Sequence, residues 1–303
     1  MTGEDGAEPF PFIVACGRSG TTLLRAMLER GGQIAIPPES YFPVSLRPRY
    51  GHAFEPIGFA ADLGENVRFR AWDLPVPDLS EVRTYPDALR TVYAAYAAAH
   101  SADRYGDKTP PFVLHMDLLA DLFAEGRFVH LIRDGRDVAR SLVQTSFGPN
   151  GLARAAEVWK RRVSRGRASG ALLGPARYLE VRYEALVGEP ETTLRSVCAF
   201  LELEFHDEML HPEEGGTLVP ESEPHHANLA MPVTAGLRDW RRDMPDADVA
   251  LVEALGGGLL SELGYERRFP TVPIAARGRA VASRARSAVV RTGRRAARKV
   301  GRR

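Results

Sequence analysis

The chain reads as an α/β protein: a parallel sheet of the phosphate-loop type with helices on both faces. Three strand-to-helix units predict it. The apolar run 12–16 (Phe-Ile-Val-Ala-Cys) enters the turn Gly17-Arg18-Ser19-Gly20-Thr21-Thr22 and then a helix-forming stretch. A second apolar run, 128–132, gives way to helical spacing at 137–144, and a third, 176–181, leads into a helix at 191–201. Strands that alternate with helices pair in parallel and are covered on both sides.

Taken in order, residues 21–30 have the helical period, with Leu23, Leu24, Met27 and Leu28 facing inward, and Gly31-Gly32 ends the run. Residues 37–78 are rich in Pro, Gly and aromatic side chains and weakly periodic, which predicts loop and short helices placed as a substrate lid. An alanine-rich helix with Tyr93 and Tyr96 is expected over 87–100, and a basic amphipathic one over 153–169. Residues 205–235, rich in Pro, Glu and His, read as a long functional loop, and 246–263 as a last helix. The organisation expected is a tail over 1–10, one domain over 11–270 and a basic tail over 271–303.

The 303 residues are 44% hydrophobic and 26% charged, ordinary for a globular protein with a sizeable core. Two cysteines, Cys16 and Cys198, make neither a disulfide framework nor a metal cluster. The acidic start MTGEDGAEPFPF is unlike a signal peptide, and no stretch has the apolar length of a membrane span. A cytoplasmic location is therefore expected; the tail reads first as a disordered solvated segment and second as a peripheral membrane contact. The net charge of +1 conceals a division: residues 277–303 hold eleven Arg or Lys and no acid, which leaves the first 276 residues at −10. Such a tail suits anionic lipid headgroups better than nucleic acid, which is not an expected partner.

The first loop offers backbone N–H groups and a helix dipole to an anion. Ser19, Thr21 and Thr22 add hydroxyls and Arg18 a guanidinium fork, and Gly20 belongs to the same candidate anion-binding turn. A triphosphate loop carries Lys-Ser or Lys-Thr where this chain has Thr21-Thr22, and no apolar strand ending in a magnesium-binding Asp is evident. Magnesium–ATP is therefore disfavoured, and a bare structural turn is the alternative. In LIRDGRDVARS, Arg133 follows a buried strand and Ser141 lies eight residues on, so the two could clasp a second anion. The competing reading makes Arg133, Asp134, Arg136 and Asp137 a surface salt-bridge cluster.

The pair GRSGTTLLRAML and FVHLIRDGRDVARSL resembles the sulfotransferases that use 3′-phosphoadenosine 5′-phosphosulfate (PAPS), and within them the tyrosylprotein sulfotransferase branch and its bacterial relatives. The resemblance implies a sulfotransferase-type fold, PAPS as donor, its bisphosphate (PAP) as product, and no metal. It implies that the first loop holds the 5′-phosphosulfate and that Arg133 and Ser141 hold the 3′-phosphate. PPES is similar to the segment with the branch's catalytic glutamate, mapping that role onto Glu39; GDKTPPF maps the transition-state lysine onto Lys108. VRYEALVGEPETTLRSVCAFL places Tyr183 near the nucleotide, and MPVTAGLRDW with LLSELGY matches the C-terminal region, where Arg241 and Arg242 are the donor-binding candidates. On this mapping Glu39 accepts the hydroxyl proton while Arg18 and Lys108 stabilise developing charge.

There are departures from that branch. Ser40-Tyr41-Phe42-Pro43 stands where it has an arginine after the glutamate, and Thr145 replaces a further arginine. The branch's serine and lysine around its C-terminal tryptophan have no clean counterparts, Arg238 and Asp239 preceding Trp240 and Arg241-Arg242 following it, and its signal anchor and luminal cysteines are missing. An aromatic, less basic entrance favours a sugar, lipid or small-molecule hydroxyl over peptide tyrosine. His225-His226 have no further ligands at metal spacing, and His115 and His130 read as structural. A homodimer is compatible with the sequence. The rivals are a phosphate-loop kinase and a non-catalytic nucleotide-binding module carried to membranes by its tail.

Overall fold

The structure is a computed structural model and describes residues 8–146, 148–214 and 239–282. Along the chain run β1 (Phe10–Ala15), α1 (Thr21–Arg30), β2 (Ile34–Ala35), α2 (Phe42–Ser45), α3 (Arg47–Tyr50), α4 (Pro56–Gly64), α5 (Val67–Arg70) and α6 (Tyr85–Ala99). There follow β3 (Arg104–Tyr105), α7 (Met116–Leu122), β4 (Gly126–Ile132), α8 (Gly135–Val143), α9 (Leu152–Leu173) and β5 (Tyr178–Arg182). Last come α10 (Tyr183–Gly188), α11 (Pro190–Leu201), α12 (Trp240–Asp243), α13 (Asp246–Gly256) and α14 (Gly258–Glu262). Contacts divide the chain into two compact units where the sequence reading drew one domain over 11–270. One comprises Met1–Arg133 with Arg165–Ala235, the other Asp134–Ser164 with Gly236–Arg303.

In the first unit β1, β4 and β5 form a parallel sheet in that order, with Ala15 opposite Leu131 and Ile132 opposite Arg182. On the far side of β1, Asp107 donates its N–H to Pro11 O (2.8 Å) and accepts from Ile13 N–H (2.8 Å), so the segment after β3 extends the sheet. Alternation along β1 sends Phe10, Phe12 and Val14 to one face and Ile13 and Ala15 to the other. The first face packs on α6 and α7 through Tyr85, Leu89, Tyr93 and Met116; the second packs on α1 and α11 through Leu24, Met27, Leu194 and Val197. The parallel sheet covered on both faces is the architecture the three units predicted.

Several elements differ in detail. In α1 the residue turned fully inward is Arg25 rather than Leu23, because its Nε ion-pairs with Glu29 at 2.9 Å. The helix expected at 87–100 starts two residues earlier, since Pro86 suits a first turn and the Thr84 hydroxyl accepts from Asp87 N–H. Residues 37–78 form short helices as expected, but their rings are core and not lid. Phe42, Phe59, Phe69 and Trp72 are buried, with Phe42 5.2 Å from Trp72 and Phe59 5.6 Å from Tyr85. Four short turns each bury a ring, which is why no single period is visible across the segment.

The second unit is held from within by Arg136, which has no exposed side-chain surface. Its guanidinium bonds Asp134 (2.9 and 2.7 Å), Glu253 (2.7 Å) and the Glu266 carbonyl (2.8 Å), and lies 3.6 Å from the Trp240 ring centre. The surface salt-bridge cluster considered for this motif is thus a buried network around Arg136. The last helix, expected as one over 246–263, is broken at Gly257, whose φ of 59° no continuing helix adopts.

Candidate active site

All strands of the first unit's sheet run the same way, so the loop after β1, Lys108 after the Asp107 bridge, Arg133 after β4 and Tyr183 after β5 leave at its carboxyl edge. The loop turns through Arg18 (φ 74°) and Gly20 (φ 93°) into α1. No side chain caps α1 at its N-cap, Gly20, so its first-turn N–H groups and dipole point toward that edge without a side-chain acceptor. Ser19 is buried, and its hydroxyl donates to Cys16 O at 2.6 Å. That bond closes the turn, so the Ser19 proton serves the loop itself. Thr21 is buried and Thr22 half-buried.

Gly20 has no side chain because Tyr183 fills that space: a Cβ there would lie 2.4 Å from the ring. The Arg133 guanidinium sits 4.2 Å from the centre of the same ring, and Arg133 is buried. One aromatic ring therefore joins the first loop to the arginine expected for a second anion.

The other group lies in the same unit of the chain. Lys108 Nζ is 3.5 Å from Glu39 Oε1, the lysine side chain 8% exposed and the glutamate 30%. A partly open carboxylate beside a shielded ammonium can take a proton from a hydroxyl and meet growing negative charge in one place. Around this pair is a buried network that sequence reading missed. Asp107 Oδ2 accepts from Ser40 Oγ (2.6 Å) and Tyr93 OH (2.7 Å), and Ser40 N–H donates to Thr109 Oγ1 (3.0 Å). Burial pushes the Asp107 carboxyl above the usual range, against bonds from Ser40, Tyr93 and Thr109 that pull it down. The available signal was a carboxylate directly before Lys108, in a segment otherwise fit for a sheet edge.

The aromatic entrance expected at 40–43 is corrected. Phe42 and Pro43 are buried, and only Tyr41 is partly open, its ring under the Arg68 guanidinium at 4.9 Å.

In the second unit Ser141 is buried on α8. Arg241 and Arg242 are exposed on α12, paired with Asp239 (3.5 Å) and Asp243 (3.0 Å). Thr145 Oγ1 donates to Leu142 O at 2.8 Å. His130 is a core residue of β4: Nδ1 lies 2.7 Å from Tyr178 OH, and burial pushes its pKa down to about 3. Exposed His115 sits at the start of α7. Arg238, His225-His226, most of the 205–235 loop and residues 283–303 lie outside the described residues.

A family model described as the sulfotransferase family matches residues 9–207. Protein-tyrosine sulfotransferase 2 of Gallus gallus is 27% identical over 272 residues, spanning 85% of this chain and 70% of that protein. Nodulation protein NoeE of Sinorhizobium fredii is 26% identical over 312 residues, spanning 92% of this chain and 73% of that protein. The sulfotransferase domain of the Synechococcus PCC 7002 olefin synthase shares the fold, with a TM-score of 0.60, 24% identity, and coverage of 87% of this chain and 98% of that domain.

The cytoplasmic location read from composition is corrected by these relatives. Several are protein-tyrosine sulfotransferases, from Gallus gallus, Drosophila melanogaster and Mus musculus, names that support no cytoplasmic assignment. Charge balance and two buried free cysteines are compatible with that setting or another, so they assign none. Among the described residues no helix is long and apolar enough to cross a membrane.

Proposed function

The chain belongs to the sulfotransferase family, and from that premise we propose that it takes PAPS as donor and uses Glu39, Lys108 and Arg18 to move the sulfuryl group onto an acceptor hydroxyl. The observation that carries this reading is the pairing, in one unit, of the Gly20–Tyr183–Arg133 array with a glutamate–lysine pair. The loop N–H groups and Arg18 suit the 5′-phosphosulfate, and the Arg133 guanidinium the 3′-phosphate. As the acceptor oxygen bonds to sulfur, the bond from sulfur to the 5′-phosphate oxygen breaks in line. The hydroxyl proton passes to the Glu39 carboxylate, and charge growing on the leaving phosphate is met by Lys108 and Arg18. Family membership sets aside the kinase and non-catalytic alternatives.

For the acceptor, a sugar, lipid or small-molecule hydroxyl is favoured by Ser40 and Tyr41 standing where the tyrosylprotein branch has an arginine. Peptide tyrosine is the second reading, favoured by the names of the relatives. Incubation with sulfur-labelled PAPS and a panel of a simple phenol, an oligosaccharide and an acidic tyrosine peptide tests both. Label on the phenol or sugar alone supports the first reading, and label on the peptide alone supports the second. No transfer to any, with PAPS intact, contradicts the proposal. Within residues 274–282, exposed Ile274 and Val281 lie beside Arg277 and Arg279, which supports contact of the basic tail with anionic headgroups. Co-sedimentation with phosphatidylserine vesicles, lost on removing 277–303, is the check.

A further inference from the structure

Glu39 and Lys108 come from segments far apart in sequence, and their geometry has to be set by something other than their own attraction. A free carboxylate and ammonium close to about 2.7–2.9 Å, whereas here Nζ and Oε1 stand 3.5 Å apart with the carboxylate partly open. The flanking residues explain the spacing. Ser40, next to Glu39, is bonded through its hydroxyl to Asp107 and through its N–H to Thr109, the two neighbours of Lys108. Asp107 is in turn fixed to the sheet by its own backbone, which pairs in both directions with β1. Tyr93 from α6 donates to the same carboxylate oxygen as Ser40, and so fixes its orientation.

A buried carboxyl is a poor device for packing alone. Asp107 is 1% exposed, and its Oδ1 has no hydrogen-bond partner among the described residues. An apolar side chain of similar size avoids that cost and would fill the same space. It lies instead where the two segments meet, bonded to Ser40 and next to Lys108.

We infer that Asp107 is a positioning residue for sulfuryl transfer: with Ser40, Tyr93 and Thr109 it ties the Glu39 loop to the Lys108 segment and sets the distance between base and cation. This rests on the sulfuryl-transfer reading given above. The tie acts through position, so its loss affects turnover and leaves the donor-binding array, on the Gly20–Tyr183–Arg133 side, unchanged.

The test compares the full chain with Asp107→Ala, Asp107→Asn and Ser40→Ala by three readouts: calorimetric affinity for PAP, the rate and KM of transfer from PAPS, and hydrogen exchange of amides 36–42. Asp107→Ala and Ser40→Ala are expected to bind PAP within about twofold of the parent while kcat falls about 10- to 100-fold, the scale of a misplaced catalytic group. Exchange over 36–42 speeds up in both. Asp107→Asn, whose amide oxygen can accept from the same two hydroxyls, is expected to recover most of the rate. Ser40→Ala removes one oxygen only, so it serves if Asp107→Ala does not fold. The inference is overturned if kcat stays near the parent in a folded variant. It is also overturned if kcat and PAP affinity fall together with thermal stability and Asn restores neither. Failure of the parent itself to bind PAP would instead strike at the donor reading, while the exchange data would still report whether the tie exists.

Discussion

Two regions at the edge of one sheet are built in different ways. On the side proposed to take the donor, Gly20, Tyr183 and Arg133 are held by shape: a left-handed glycine, a ring against its Cα and a guanidinium on that ring. On the side proposed for transfer, Glu39 and Lys108 are flanked by buried polar bonds running through Ser40, Asp107, Tyr93 and Thr109. On the proposed assignment, the difference teaches that binding and turnover have separate supports. Affinity depends on close approach of backbone and charge to an anion, which ring packing provides. Turnover depends on the spacing of two charged groups, which only directional bonds fix.

That separation can be broken by substitution, and the largest effect is expected at Glu39. Glu39→Gln should lower kcat by about 10²- to 10⁴-fold, the usual contribution of a general base, with PAP affinity nearly unchanged. Equal loss of both in steady-state kinetics and calorimetry would merge the two regions into one. On the other side, Arg133→Ala should weaken PAP binding by about 10- to 100-fold, as loss of a charge-assisted bond does. A fall in kcat at saturating PAPS with PAP affinity intact would contradict its assignment to the donor side.

Gly20→Ala sharpens the comparison on a smaller scale. The added Cβ meets Tyr183 in a backbone conformation that disfavours alanine, a cost of about 1–3 kcal/mol, read as a lower Tm and weaker PAP binding. If Tm and affinity both hold, the ring does not set the loop.

The smallest effect belongs to His130, which serves neither region. Its neutral folded form, with a pKa of about 3 against the ordinary 6.5, binds no proton where the unfolded chain does. Its contribution to stability is therefore full above pH 6.5 and is lost as pH falls toward 3. Between pH 7 and 6 the parent should lose about 0.7 kcal/mol that His130→Gln keeps, measured by urea midpoints at the two pH values. Parallel losses in both proteins would refute the linkage.

The elements that bring Gly20, Tyr183 and Arg133 together were legible in the sequence because they are local. A strand, a glycine turn and a helix form one continuous stretch, and Arg133 and Tyr183 each directly follow a strand. The transfer corner was legible only as two mapped residues. Ser40 and Asp107 are 67 residues apart, and no periodicity announces a hydrogen bond between them. The aromatic segment 37–78 misled for a related reason, since rings that alternate between short turns give no period and look like an open loop. In the RDGRD motif, Arg133 and Arg136 look alike as letters, yet Arg136 is saturated by Asp134 and Glu253, and that pairing depends on a helix more than a hundred residues later.

The most direct measurement is calorimetric titration of the full chain with PAP, with AMP and magnesium–ATP as controls. Tight binding of PAP, much weaker binding of both controls and loss of PAP affinity in Arg133→Ala are the predicted results. Preference for magnesium–ATP, or no binding of PAP, would contradict the account of the edge as a PAPS site.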